Sequence, residues 1–447
     1  DFVLNSVWFI NNSYDNSNNQ EFGGGSGIWV AESENISYEN QFNLVFKDCH
    51  FERNYSPENG GAFSYSGNSN SIEGCTFQSN KADYKGGAIS LQCSEATILD
   101  CIFISNDCAK QNFGNSQTNN KQGGAISFEL GSQGSSYILQ KCTISENQAY
   151  SNGHAILITG KETKVSILGE CIFEDNCKIN GGSQIVIDGG DLDFSNSSVR
   201  LSNYVSYKTR GIELLNGNLF AHDTIFSHIE ASPVNQLMEG NAILVNSGDT
   251  KAYIENNTFY DCYLNEALSY AVTCNGPDFN FLNNTFDFSN LRGCGCLRIY
   301  TNGQAIIEGN KFLNVKTKEK LSGALYLNET FAVDKYVIQN NIFENCSSNQ
   351  TACFKLILQS NKITFVDNYF QNNDLENFLG EFDFQGLLIY GTFTIERNYF
   401  INNTARSDYG GGSALWFQNK PGFNTFLVEN HYTLFIDSCQ FIGNRAC

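Results

Sequence analysis

The side chains best suited to chemistry in this chain are carboxylates. The densest group is Asp188, Asp191 and Asp193, in the run IDGGDLDF. Hydrolysis of a glycosidic bond needs two carboxyl groups flanking it. The acids to consider are therefore these three, Asp367 with Asp374, and Glu376 with Glu381 and Asp383. None is accompanied by a His or Arg pattern suited to cleaving a polysaccharide, and acids at bends are usually solvated turn formers. The same oxygens would suit Ca2+, the one cofactor the sequence offers, and offers weakly. His222 and His228, in AHDTIFSHIE, are two ligands six apart and make no metal site by themselves. The Gly-rich runs lack the Lys-Ser/Thr of a phosphate loop. No catalytic, cofactor-binding or metal residue is assigned.

Thiols and asparagines come next. The chain has 16 Cys and 5 His, with no C-x-x-C pair, so zinc is disfavoured and an oxidising compartment favoured. Cys101/Cys108, Cys171/Cys177, Cys262/Cys274, Cys346/Cys353 and Cys439/Cys447 are candidate disulfides across a turn, although spacing alone does not fix connectivity. Asn-x-Ser/Thr sequons make Asn11, Asn35, Asn196, Asn256, Asn283, Asn328, Asn345, Asn349 and Asn402 candidate glycosylation sites. Asn54 is also in a sequon, but its place in a regular column argues against a glycan there.

The elements that must position these groups follow from a repeat. Between Gly74 and Ile126 the motifs Cys-x-Phe-x-x-Asn and Gly-Gly-Ala-Ile recur, with Phe77 and Phe103 26 residues apart. The anchor is followed through Phe9, Phe51, Phe77, Phe103, Ile144, Phe173, Val199, Phe226, Phe259, Phe286, Phe312, Phe343, Phe370, Phe400 and Phe441. Apolar runs of three to six residues lie between, with period-two alternation and no helical pattern. About three short strands per period of ~27 predict an all-β fold, a single right-handed parallel β-helix of about 15 coils. The anchors should stack as an aromatic spine. One Asn column lies three residues after the anchor and another two before it, with Asn expected to serve the left-handed bends. Cys49, Cys75, Cys101, Cys142 and Cys171 share one position and read as core filling. Trp29 and Trp416, just after Gly-rich corners, are expected in the core. Residues 1–190 and 391–447 are the regular coils, and 191–390 the divergent ones. The whole reads as a portion of a longer precursor.

With 47 acidic and 27 basic residues the net charge is -20, which disfavours nucleic acid and anionic membranes as partners. No stretch reaches the ~18 apolar residues of a membrane span.

The Gly-Gly-Ala-Ile and Phe-x-x-Asn tetrapeptides, as in GGAF, GGAI, FERN, FQSN, FISN and FEDN over 49–190, resemble the polymorphic outer membrane protein repeats of autotransporter adhesins. More broadly the chain looks like the pectate-lyase-like right-handed β-helix superfamily. The resemblance implies a surface-exposed or secreted β-helix with adhesive or structural work; with the sequons and no catalytic set, the chain reads as a non-enzymatic extracellular or cell-surface glycoprotein. Its partners would be itself, end to end, or other surface glycoproteins and glycans. A polysaccharide lyase or hydrolase is the alternative. No autotransporter barrel is present, and no catalytic residue is carried over.

Overall fold

The computed structural model describes residues 2–13, 25–30, 43–108, 123–130, 134–150, 152–177, 181–202, 208–230, 240–246, 250–262, 269–276, 278–288, 294–301, 303–317, 323–329, 336–348, 353–357, 362–375, 382–385, 390–405, 415–418 and 431–446. Every described element is a β-strand or an isolated bridge, and the strand pairs are parallel. The chain is a parallel β-solenoid. Two compact units divide it, Asp1–Ile225 and Phe226–Cys447.

In the first unit each three-residue anchor strand is accompanied by a longer side, a single strand in some coils and two shorter ones in others, as in Ile126–Phe128 with Ser135–Gln140. Phe63–Glu73 lies in register on Ile89–Leu99, and Thr76–Gln78 lies in register on Ile102–Ile104. The anchor of each coil therefore falls on the anchor of the next. Phe9, Phe51, Phe77 and Phe103 stack with centroids 4.7–4.8 Å apart and ring planes within 7°. That distance is the interstrand spacing itself. Ile144, Phe173 and Val199 continue the column, fully buried and in register. In the second unit the stack runs Phe226, Phe259, Phe286, Phe312, Phe343, Phe370, Phe400 and Phe441, with centroids 4.5–5.3 Å apart.

Counting anchors overstates the complete coils. A third, two-residue strand closes the coil at Tyr55–Ser56, Lys81–Ala82, Asp107–Cys108 and Gln148–Ala149 in one unit. In the other it does so at Ser347–Ser348, Asp374–Leu375, Thr404–Ala405 and Arg445–Ala446. Elsewhere among the described residues the anchor strand is not followed by such a strand, so the expected count of about 15 coils is not met.

The corner glycines have separate tasks. Gly86 takes φ +64°, and a Cβ on Gly87 would sit 2.1 Å from the Gly124 carbonyl oxygen. The first needs glycine for its backbone angle and the second for close approach between coils.

The turns bracketing each anchor strand differ from expectation. The column asparagines do not take the left-handed conformation; the residue just before each of them does. Asn11, Arg53, Ser79, Ser105 and Glu146 have φ of 53–56° after the anchor, and Asp48, Asp100 and Lys141 have 51–53° before it. The column Asn instead point inward and are buried, except Asn12 and Asn444, which are half-buried. Trp29 is also corrected. It pairs with Ser64 between inward-facing Ile28 and Val30, so alternation turns it outward, and it is 49% exposed. The Trp416 side chain lies outside the described residues.

Candidate functional site

The inward turn residues form hydrogen-bonded ladders. After the anchor, Asn80 Nδ2 donates to the Phe51 carbonyl of the preceding coil at 2.9 Å and to Asn106 Oδ1 of the following one at 3.0 Å. Its own Oδ1 accepts from the backbone N–H and Nδ2 of Asn54. The pattern runs through Asn12, Asn54, Asn80, Asn106, Asn147 and Asn176, where Asn176 Nδ2 turns to Gln184 Oε1 at 3.0 Å. In the second unit a ladder before the anchor joins Asn257, Asn284, Asn310, Asn341, Asn368 and Asn398.

Cysteines occupy the same two positions. Cys49, Cys75, Cys101, Cys142 and Cys171 stand where the second unit has its pre-anchor Asn. The Cys75 sulfur accepts from the Cys49 N–H at 3.3 Å, and Cys101 Sγ donates to the Ile72 carbonyl, as Asn284 Nδ2 does to that of Ile254. Cys262 and Cys346 take the post-anchor position and donate to the Phe226 and Phe312 carbonyls. The cysteines whose side chains are described are thiols, and of these all but Cys439 are buried. The candidate pairs are accordingly not bridged: Cys101 points to Ile72 O while Cys108 points to Tyr84 O, and Cys171 points to Leu139 O while Cys177 faces Gly181 O. Cys274 is buried in the strand Ser269–Asn275, Cys353 is buried at the corner before Phe354–Ile357, Cys439 donates to Ile395 O, and Cys447 lies outside the described residues. Burial pushes the Cys93 thiol up to about 12 and holds Cys108 and Cys274 well above the ordinary range, so these thiols are neutral donors.

The carboxylates are placed less suggestively. Asp188 and Asp191 accept from Asn216 and Asn218 of the neighbouring coil at 2.8 and 2.7 Å. Asp193 lies 3.3 Å from His222 Nε2, whose Nδ1 is 2.9 Å from Asp223. This stripe is solvent-facing, and neighbouring side chains already engage its acids. His228 takes a left-handed turn and packs edge-on against Tyr260. Asp367 is held by Arg397 through two 2.8 Å bonds, which lower the Asp367 pKa. Asp374 sits in a corner strand opposite Ser347 and Thr404. Glu376, Glu381 and the Asp383 side chain lie outside the described residues. Among the described residues no group of three His, Cys, Asp or Glu could hold a metal ion.

Two buried polar sites are absent from the sequence reading. His154 is fully buried; its Nε2 donates to Gly181 O at 2.8 Å and its Nδ1 accepts from the Ala149 N–H at 3.2 Å. Burial pushes its pKa down. Arg210 and Glu213 form a buried pair at 3.8 Å, and Glu213 also accepts from Asn152 Nδ2 and Ser183 Oγ. Burial lowers the Arg210 pKa against the opposing pull of Glu213. The signal in the sequence was charge at a corner, in GHAI and TRGIELL, where other coils carry Gly, Ala and Ile.

The sequon asparagines divide by position. Asn11, Asn196, Asn256, Asn283, Asn345 and Asn402 are exposed left-handed turn residues with φ of 46–55°. Asn54 is a buried ladder member. Asn35, Asn349 and the Asn328 side chain lie outside the described residues.

Comparison with known proteins agrees with this architecture. No solved structure matches the chain. The metabotropic glutamate receptor-like protein Q of Dictyostelium discoideum is 25% identical over 242 residues, 52% of this chain and 17% of that protein. The chain thus spans less than a fifth of that relative's length. No described helix is long and apolar enough to cross a membrane. Residues 227–405 match the right-handed β-helix region, and residues 74–92 match the Chlamydia polymorphic membrane protein repeat, so the parallel solenoid carries both the fold and the repeat that its Phe and Gly-Gly-Ala spacing resembles.

Proposed function

We propose that the chain is a non-enzymatic β-helix of a cell-surface or extracellular protein, doing adhesive or structural work through its outer faces. The match of residues 74–92 to a membrane-protein repeat supports the surface placement. The observation that carries the rest is the allocation of polar groups. The asparagines that could orient a substrate are buried in ladders that join one coil to the next, and the exposed acids are tied to neighbouring side chains. Such a surface is rigid and acidic, suited to contact rather than to closing around a reacting bond. The same reading includes end-to-end stacking of copies, which would continue the Phe and Asn columns.

Beads coated with the chain should be retained on cells or glycan-coated surfaces, and beads coated with the heat-unfolded chain should not. Light scattering on the purified chain reads stacking directly. The competing reading, polysaccharide cleavage, rests on His222 between Asp193 and Asp223. Release of sugar fragments that Asp193→Asn abolishes, with no retention of beads, would overturn the adhesive reading.

A further inference from the structure

The described sequon asparagines on exposed turns fall at two places in the coil, just before and just after the anchor strand. We propose that N-linked glycans decorate the pair of left-handed turn columns bordering the anchor sheet, and are excluded from the ladder between coils. This rests on the surface reading above, since glycans are added along the secretory route.

The geometry makes the distinction at the atom to be modified. A glycan replaces one hydrogen of the Asn Nδ2. Asn54 uses that nitrogen twice, donating to Phe9 O and to Asn80 Oδ1, and it is 1% exposed. A sugar there would break the ladder and has no space. The sequon residues one position earlier in the turn face solvent. Asn256 and Asn283 lie before the anchor strands Thr258–Tyr260 and Thr285–Asp287, and Asn345 and Asn402 lie after Ile342–Glu344 and Tyr399–Ile401. In the first unit Asn196 takes the former column and Asn11 the latter.

The architecture also explains why the sequon recurs. At Asn256, Asn283, Asn345 and Asn402 the turn reads as an exposed left-handed residue, a buried ladder residue, then the first residue of a strand. Asn suits the first place because its short polar side chain tolerates positive φ. Ser or Thr suits the third, as Thr258, Thr285, Ser347 and Thr404 do. Glycans on both columns would border the outer face of the anchor sheet and leave the long-strand faces open for contact with partners.

The test is secretion of the chain from eukaryotic cells behind a heterologous leader, followed by glycopeptide mapping of the folded, protease-resistant fraction. Glycans are expected on Asn256 or Asn283 and on Asn345 or Asn402, with none on Asn54. Asn283→Gln and Asn402→Gln should each reduce mass without changing protease resistance, whereas Asn54→Gln should lose resistance and no sugar. A glycan on Asn54 in folded protein, or bare turn asparagines beside a normally modified control protein, would overturn the proposal. Bead retention is measured on the same material. Retention with bare asparagines sinks this inference alone, while mapped glycans without retention sink the adhesive reading alone.

Discussion

Replacing Asn80 with alanine tests what holds one coil to the next. The substitution removes four hydrogen bonds: two accepted from Asn54 and two donated, to Phe51 O and Asn106 Oδ1. Asn106 Oδ1 keeps the Asn80 N–H at 3.0 Å, so it remains satisfied. Two buried groups lose their partner at this site, the Asn54 N–H and one Asn54 Nδ2 hydrogen, while the Phe51 carbonyl keeps the Gln78 N–H of the strand ladder. Each such group costs about 1–3 kcal/mol, which places the expected loss at about 2–6 kcal/mol. Coils of a solenoid pack only on their neighbours, so the loss should be local. Amide hydrogen exchange is the suitable assay. A loss of about 4 kcal/mol raises local opening roughly a thousandfold. The affected amides should lie at 51–55, 77–82 and 103–108, with little change beyond. Asn80→Asp should be worse, because it sets a carboxylate oxygen against Asn106 Oδ1 and Phe51 O. Gln78→Ala, at an exposed position of the anchor strand, should be neutral. If Asn80→Ala changes protection less than threefold, or if Asn80→Asp is the milder variant, the ladder does not join the coils and the reasoning fails.

Two further outcomes follow from the core. Phe77→Ala removes a ring stacked on Phe51 and Phe103 at 4.8 and 4.7 Å and should cost about 3–5 kcal/mol by urea unfolding or exchange; a cost below about 1 kcal/mol would mean the column merely fills space. His154 supplies a pH dependence. Burial depresses its folded pKa below the usual ~6.5, so the folded state binds its proton less readily than the unfolded chain does. Its contribution is therefore fully present above about pH 6.5 and falls, by about 1.4 kcal/mol per pH unit, as pH drops toward the folded value. Stability between pH 7.5 and 5 should decline in the native chain and be flatter in His154→Gln; equal slopes in the two would exclude His154 as the cause.

The spacing of Phe made the fold legible, because a stacked column tolerates no drift in register. Even Ile144 and Val199 could be placed, since position rather than residue type defines the column. The left-handed turns were not legible. Asn and Asp are common at these turns, but Lys141, Glu146 and Arg53 share the backbone angle without the chemistry, so no single residue type marks them. The column Asn attracted the assignment because it recurs, yet it recurs for its amide, not for its φ. The site residues were harder still. A period gives the place of His154 or Arg210 in the coil, but the partners Gly181 and Glu213 come from other coils or other positions, and only three dimensions bring them together. Trp29 failed for a simpler reason. A Gly-rich corner does not set which of the following residues points inward; the strand alternation does, and it favoured Ile28 and Val30.

The interchange of Cys and Asn bears on where the protein resides. Both residues reach the same carbonyl of the preceding coil and both accept from the backbone N–H of the same neighbour. The amide does this at 2.8–3.0 Å in the pre-anchor column of the second unit, the thiol at 3.3–3.5 Å in that of the first. An amide has two donors and can also bond along the ladder, whereas a thiol has one weak donor. The cysteines therefore fit as a smaller and more apolar form of the same rung, and their number reflects the repeat rather than a disulfide framework. A high cysteine count in a repeat of this kind is no guide to redox compartment, because a buried rung recurs with the coil whatever the compartment; burial holds the thiols of Cys93, Cys108 and Cys274 neutral. The case for the cell surface then stands on the repeat in residues 74–92 and on the exposed sequon columns, two features that do not depend on the thiols.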